Sequence, residues 1–389
     1  MLSEGFIQPI SDKEEIILPP LGTQAKPDIV ETEPHHGIFS EDFMDFDRNL
    51  WMTLGDGDGY QEYYSRKNGV KRSIGWGQLK LLLTEIQFLT LYWDPILVPK
   101  PKVVYVGAAD GTHIPILAEL FPTITFYLYD PREFNKSVKD PSMATRIIIE
   151  EGSDPDNKGF FTDDECKKWE NREDVFFICD IRAREYSVRD LAGKEERDAQ
   201  NKENEKIVWE NMEQQQNWVK IIKPVQAQLK FRLPYTYDFI MEEGPTRKYL
   251  DGIIYRQPWA LPTSTETRLV VLKPIKGQYI IKDWDLIKYQ EVCFYHNTQV
   301  REKFKFYNPY SPNEKKVAIK FGLSEDFDSI MTYQIIKDYL GRYYDKDDPK
   351  FAQYLLSDIF LKLGGPKNDI KTRRAKYAAF RKKEDQTEE

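Results

Sequence analysis

An α/β fold built on a mostly parallel, doubly wound sheet is predicted by three stretches of the chain. Lys102-Val-Val-Tyr-Val106 is a short apolar, β-branched run that stops at Gly107. A turn of small residues follows, and Ile114 to Phe121 then reads as a helix. Thr125-Phe-Tyr-Leu-Tyr129 is a second, aromatic-rich strand ending on Asp130. Strand, glycine turn, helix, strand and acid make half of a nucleotide-binding sheet, with the acid placed to bond ribose hydroxyls.

The turn narrows the ligand. A dinucleotide site uses G-x-G-x-x-G because backbone must approach a pyrophosphate closely. In Gly107-Ala-Ala-Asp-Gly111, Ala109 takes the middle glycine position and Asp110 lies where phosphate would sit. Like charges disfavour NAD or FAD there. S-adenosyl-L-methionine has a ribose and an adenine, no phosphate and a cationic sulfonium, so a carboxylate-bearing turn suits it. The plainer alternative is a glycine turn that only punctuates the chain.

At 389 residues the chain can bury a sizeable core as one large domain or two small ones. Its 56 basic and 64 acidic residues give a net charge of −8, which argues against wholesale coating of nucleic acid but allows a local basic cleft. Cys166, Cys179 and Cys293 have neither C-x-x-C nor Cys/His spacing, so neither a disulfide framework nor a structural zinc is expected, and no metal is called for. There is no apolar run long enough to span a bilayer and no secretory segment after Met1, so no membrane partner is expected and the setting reads as reducing and intracellular.

Along the chain, residues 1–45, with prolines, acids and His35-His36, read as an extended arm; 46–364 read as a single domain; 365–389 read as a charged tail. Gly55-Asp-Gly-Asp-Gly59 is a turn cluster that lacks a full calcium-loop pattern. In Gly77 to Leu89, Leu79, Leu82, Leu83 and Ile86 make a helical core stripe, and Lys80, Thr84 and Gln87 fall off it, where solvent is the ordinary surrounding. Strands are expected at Arg146–Glu150 and at Val175–Cys179, the latter ending on Asp180. Gln226–Leu233 reads as half-buried, with Lys230 and Arg232 on its polar face, and further strands are expected at Ser264–Leu272 and Lys316–Gly322. Helices are expected over the charged stretch up to Lys206, Ile207–Ile222, Ser329–Tyr344 and Phe351–Leu363. Tyr255–Trp259 reads as loop, and Tyr279–Val300 mixes both signals. Ligands collect at the carboxyl ends of such strands, so Gly107, Asp130 and Asp180 are expected to share one crevice.

Five motifs then occur in a fixed order: Gly77-Gln-Leu-Lys80; Val103-Val-Tyr-Val-Gly-x-Ala-x-Gly-Thr-His-Ile114; Ile178-x-Asp-x-Arg182; Leu229-Lys-x-Arg232; and Ser264-x-Glu-x-Arg-Leu269. This series resembles the poxvirus cap-specific mRNA 2′-O-methyltransferase family, whose members double as the small, stimulatory subunit of the viral poly(A) polymerase. The resemblance runs from Gly75 to Lys320. It implies a class I, Rossmann-like methyltransferase with a mostly parallel seven-stranded sheet flanked by helices. It also implies S-adenosyl-L-methionine as donor, S-adenosyl-L-homocysteine as product, capped mRNA as substrate and a poly(A) polymerase catalytic subunit as partner. The implied setting is the host cytoplasm, at the viral factory, with packaging in the virion.

Carried over residue by residue, the resemblance implies a catalytic tetrad of Lys80, Asp180, Lys230 and Glu266, with Lys230 as general base or as the group steering the hydroxyl. It assigns the donor to Gln78, Leu81, Tyr105, Gly107, Gly111, His113, Asp130 and Arg132, with Phe160 or Phe161 walling the adenine. For a methylated guanine held between aromatic rings it implies Tyr235 and one of Tyr60, Tyr63 and Tyr64. Asp238 lies one residue from the family's first edge-reading acid. Gln290, with Glu291 beside it, replaces the second, and Thr263 replaces a tyrosine. Glutamine accepts a hydrogen bond but does not neutralise a cation. Arg182, Arg184, Lys223 and Arg232 are the nominated phosphate contacts.

Overall fold

The computed structural model describes residues 52–55, 59–64, 75–152, 156, 158–183, 193–301, 327–344 and 349–363. The expected arm, the tail, His35-His36, Arg184 and the strand at Lys316–Gly322 lie outside the described residues.

Among the described residues the sheet has eight strands rather than seven. In chain order they are β1 (Thr53–Leu54), β2 (Lys102–Val106), β3 (Thr125–Tyr129), β4 (Ile147–Ile149), β5 (Val175–Cys179), β6 (Gln226–Phe231), β8 (Gly252–Tyr255) and β9 (Thr267–Val271). β7 (Thr246–Leu250) and β10 (Ile281–Asp285) form a separate antiparallel ribbon. The spatial order is β1-β8-β9-β6-β5-β2-β3-β4. From β4 to β6 every pairing is parallel, while β9, β8 and β1 join antiparallel. Tyr255, read as loop from sequence, ends β8.

A parallel strand covered on both faces must be apolar on both. Val103 and Tyr105 of β2 and Phe176 and Ile178 of β5 belong to one core layer; Val104, Val106, Phe177 and Cys179 belong to the other. On the first face lie α1 (Gly77–Tyr92), α2 (Ile114–Leu120) and, from the carboxyl-terminal part, α7 (Phe327–Tyr344) and α8 (Pro349–Lys362). The second face is covered chiefly by α4 (Lys194–Ile222), with α3 (Asp163–Lys167) packed against it; α5 (Asp238–Met241) and α6 (Leu286–Tyr295) follow the later strands. α4 is one helix where the sequence suggested two pieces. It ends on Lys223 in the left-handed region (φ 50°), and Pro224 forbids continuation.

Two polar surfaces expected to meet water do not. Thr84, Glu85 and Gln87 of α1 are buried, and so are all six residues of β6. Here polar side chains serve neighbouring elements: Gln228 Nε2 donates to the Thr84 carbonyl (3.0 Å), and Gln226 Nε2 to that of Val271 (2.6 Å). Such bonds offset the desolvation of the amides.

Candidate active site

The carboxyl ends of β2, β3 and β5 meet as expected. Gly107 has φ +81°, and a Cβ there would lie 2.7 Å from the Asp180 carbonyl carbon. Only glycine allows the β2 turn to approach β5 so closely. The Asp180 N–H donates to the Val106 carbonyl (2.8 Å). From β3, Asp130 Oδ2 accepts from the Ala109 N–H (2.9 Å) and from Arg132 Nη2 (2.8 Å), and Oδ1 accepts from Arg132 N and Nε (2.9 and 3.0 Å). Arg132 thus caps the acid while its side chain remains two-thirds exposed (67%). Gly111, also left-handed at φ +75°, closes the turn. Gln78 Nε2 donates to Asp110 Oδ1 (2.8 Å), tying the amino end of α1 to the same turn. Leu81 is half-buried one turn further. Tyr105 and His113 are buried beneath these residues. A carboxylate-lined turn of bare backbone, with an acid at the tip of β3, fits a nucleoside carrying a positive charge better than a pyrophosphate.

Phe161 corrects the expected adenine wall. Its ring is in the core, edge-on to Tyr129 (4.7 Å) and Trp218 (5.0 Å), while Phe160 is 50% exposed. The neighbouring Gly159 (φ +77°) lets this loop reach the strand tip, since a Cβ there would lie 2.3 Å from the Asp130 carbonyl oxygen. Sequence reading passed over Gly159.

The four tetrad positions come together. Lys80 Nζ donates to Glu266 Oε1 (2.6 Å); Lys230 Nζ lies 3.3 Å from Asp180 Oδ1 and 3.5 Å from Glu266 Oε2. A fifth group joins them. Arg268 is the register partner of Lys230 on β9, and its Nη2 donates to Asp180 Oδ1 at 2.6 Å, with Nη1 3.7 Å from Glu266 Oε1. Two cations directly opposite each other across a ladder repel, and Asp180 Oδ1 lies between them. Arg268 was visible in sequence as the residue two beyond Glu266, on the same strand face. Gln257 Nε2 donates to the Glu266 carbonyl (2.9 Å) and Ser264 Oγ accepts from its N–H (3.1 Å), which fixes the backbone just before β9.

The electrostatics follow from three cations facing two carboxylates. Burial lowers the affinity of the Lys80 ammonium for its proton; Glu266 opposes this, and Arg268 adds to it. For Asp180, burial pushes upward, but Arg268 and Lys230 outweigh it and hold the carboxyl below its ordinary value. Burial likewise pushes Glu266 upward, and Lys230, Lys80 and Arg268 together hold it well below. Both acids are ionised at neutral pH.

Aromatic side chains gather against α6 and just after β6. Tyr60, Tyr63 and Tyr64 are each about half exposed (46–55%); Tyr63 and Tyr64 pack edge-on to Phe294 of α6, and Lys288 lies over Tyr60. Tyr235 follows β6, with the Arg232 guanidinium 4.5 Å from its ring centre. Asp238 is exposed at the start of α5. Gln290 is buried, and its Oε1 accepts from the Thr236 N–H (3.1 Å), so it braces the Tyr235 segment against α6.

Three nominated phosphate contacts are placed otherwise. Arg232 is buried and bonded by both terminal nitrogens to Glu205 of α4 (3.2 Å). The terminal nitrogens of Arg182 are shut away from solvent, near Tyr249. Lys223 caps α4 before the amino end of β6, whereas Lys230 lies next to the last residue of that strand. Alternation and charge do not reveal which end of a strand, or which side of a helix, a cation occupies. Among the described residues no cluster of potential metal ligands occurs, and no helix is long and apolar enough to cross a membrane.

Comparison with known proteins covers the whole of this arrangement. A family model described as the poly(A) polymerase regulatory subunit matches residues 45–363. The cap-specific mRNA (nucleoside-2′-O-)-methyltransferase of Fowlpox virus (strain NVSL) is 29% identical over 324 residues, which is 80% of this chain and 91% of the relative. Proteins of the same name from Myxoma virus (strains Lausanne and Uriarra) are 27% identical over 248 residues, 61% of this chain and 65% of each relative. The matched span holds the glycine turn, the ion cluster and the aromatic rim together, and the chain belongs to the poly(A) polymerase regulatory subunit family.

Proposed function

We propose that this chain transfers a methyl group from S-adenosyl-L-methionine to the 2′-hydroxyl of a cap-proximal nucleotide in capped mRNA. The observation that carries this reading is the meeting of Lys80, Asp180, Lys230 and Glu266 within ion-pair distance, at the crevice that the Gly107 turn also enters. The relatives' names support it independently.

Gln78, Leu81, the Gly107–Gly111 backbone, Asp130 and Arg132 would hold the donor, with Phe160 rather than Phe161 against the adenine. When bound, the donor supplies an electrophilic methyl group on a sulfonium. A ribose hydroxyl is a very weak acid, so its proton must be taken up or its lone pair steered as the new C–O bond forms. Lys230 lies between Asp180 and Glu266, which orient its Nζ for either role. Lys80, whose proton affinity burial and Arg268 lower against the pull of Glu266, stands beside it in the same cluster. A methylated guanine would be held by Tyr235 and by Tyr60 or its neighbours, with Asp238 reading its edge. Gln290 Oε1 is occupied by Thr236, so methylguanine selectivity rests on fewer charges than in the family pattern.

The test is transfer of labelled methyl from the donor to short RNAs, capped with methylguanosine or uncapped, by wild type and Lys230→Ala. Label in the 2′-O position of capped RNA, lost in the variant, is the expected result. Equal labelling of both RNAs would retire cap dependence. A second reading, a stimulatory subunit of a poly(A) polymerase, is favoured by the family description. It gains the field if the donor binds but no RNA is labelled.

A further inference from the structure

The arginine that follows β6 is turned inward. Arg232 and Glu205 of α4 are 6% and 4% exposed, and the two terminal nitrogens of the guanidinium make three hydrogen bonds to the carboxylate, each of 3.2 Å. Exchanging a buried ion pair for apolar residues is often neutral or stabilising. Stability alone therefore gives little reason for this pair.

The contacts that both residues make with Tyr235 supply one. Glu205 Oε2 also accepts from the Tyr235 backbone N–H (3.1 Å), and the Arg232 guanidinium lies over the Tyr235 ring, 4.5 Å from its centre. One carboxylate thus reaches Tyr235 directly at its peptide and, through the guanidinium, at its ring. Gln290 of α6 accepts from the Thr236 N–H (3.1 Å), and the Tyr235 carbonyl accepts from the Tyr237 N–H (2.9 Å), so the path of the backbone is fixed without Glu205. The ring is different. Tyr235 is half-buried, and the outer torsion of a tyrosine is soft, so what touches the ring decides its plane. A guanidinium is planar, and paired with a carboxylate it makes a rigid plate against one face of the ring. The pairing also balances its charge, which matters because an unbalanced cation behind the ring would compete with a cationic base for the same π-electrons.

We propose that Glu205 is a positioning residue of the nucleobase site: it holds the Arg232 guanidinium behind Tyr235, so that the ring stands as a fixed, one-sided stacking surface for the guanine of the cap. The ligand is taken from the cap-methyltransferase reading, on which this rests; the geometry is not. The base meets the ring on the face away from Arg232. A ring already oriented needs no ordering when the base arrives, and stacking gains by that difference.

The test uses the full chain with Glu205→Gln, which keeps an acceptor for the Tyr235 N–H but loses the ion pair, and Arg232→Lys, which keeps the charge but has no planar group to lay against the ring. Binding of a methylguanosine cap analogue is followed by fluorescence titration and that of S-adenosyl-L-homocysteine by calorimetry. The ring is followed by fluorine NMR on protein made with 3-fluorotyrosine, with the Tyr235 signal assigned by its loss in Tyr235→Phe. Both variants should weaken the cap analogue about five- to tenfold and raise KM for capped RNA alike, while product affinity and kcat at saturating RNA stay within about twofold. The Tyr235 signal should shift in both. Wild-type cap affinity or an unmoved Tyr235 signal in a folded variant overturns the proposal, and so does an equal loss of cap and product binding, the mark of a purely structural pair. If Glu205→Gln fails to fold, Arg232→Lys decides on the same readings. If the wild-type protein binds no cap analogue, the cap reading is refuted, and the fluorine signal still decides whether Glu205 orients Tyr235.

Discussion

Removing the charge of Glu266 should cost far more than its one short ion pair suggests. Its carboxylate faces Lys80 at 2.6 Å, Lys230 at 3.5 Å and Arg268 at 3.7 Å, and the four side chains are at most 16% exposed. Glu266→Gln leaves three buried cations against Asp180 alone. Breaking a buried pair in this way destabilises by about 3–5 kcal/mol, because the remaining charges are uncompensated. At roughly 2–4 °C per kcal/mol for a domain of this size class, Tm should fall by about 6–20 °C.

The sharper expectation is the coupling with Arg268→Met. That change alone leaves two lysines facing two acids, and the guanidinium's closest hydrogen bond, to Asp180 at 2.6 Å, is what is lost. Combined with Glu266→Gln, it removes the cation that has become surplus, so the double variant should be less destabilised than the two single losses summed. Urea unfolding of the four proteins at pH 7 gives the coupling energy, expected at about 1–3 kcal/mol in the rescuing direction. Additivity within about 0.5 kcal/mol would refute the charge-balance argument, because groups acting through one shared field cannot be independent.

Three further outcomes are expected. Gly107→Ala places a methyl 2.7–2.9 Å from three backbone atoms of Asp180 and Ile181, so Asp180 must move; methyl transfer should fall about a hundredfold while the protein still folds, as circular dichroism would show. Asp180 and Glu266 titrate below their ordinary values in the folded chain, so their contribution is complete above about pH 4 and is lost as pH falls through the folded values. Urea midpoints measured at successive pH values should therefore decline less steeply below about pH 4 in Glu266→Gln than in wild type. Gln290→Glu keeps the acceptor for Thr236 and adds a charge; the preference for methylguanosine over guanosine cap analogues should rise roughly fivefold in fluorescence titrations. An unchanged ratio there would leave Gln290 as a brace only.

The part of this fold that was legible in sequence is the part written in consecutive residues. β2, β3 and β5 are apolar runs ended by Gly107, Asp130 and Asp180, and each end marks the crevice directly. The antiparallel edge was not legible for the converse reason. β1 is two residues long and pairs with Ile254 and Tyr255, far along the chain, so neither period nor turn chemistry announces it. Phe160 and Phe161 show the same limit at single-residue scale: their sequence positions do not say which ring joins Tyr129 in the core and which stays outside.

The same division explains the site. Helical periodicity assigns Lys80 to solvent, and that inference is sound for a helix with one wet face. α1 has no such face over this turn, because Lys80 meets Glu266 just before β9, and Gln228 of β6 bonds the Thr84 carbonyl. Lys80 is therefore buried by strands that the pattern within α1 does not register, and its proton affinity is lowered by that burial and by Arg268 and Lys230, against the pull of Glu266 and Asp180. An ion cluster of this kind is stable only as a set. Each member, read alone, is an ordinary surface charge, and what selects the set is the adjacency of β5, β6 and β9 in the sheet. The double substitution of Glu266 and Arg268 probes that adjacency through coupling, which the separate strands cannot produce.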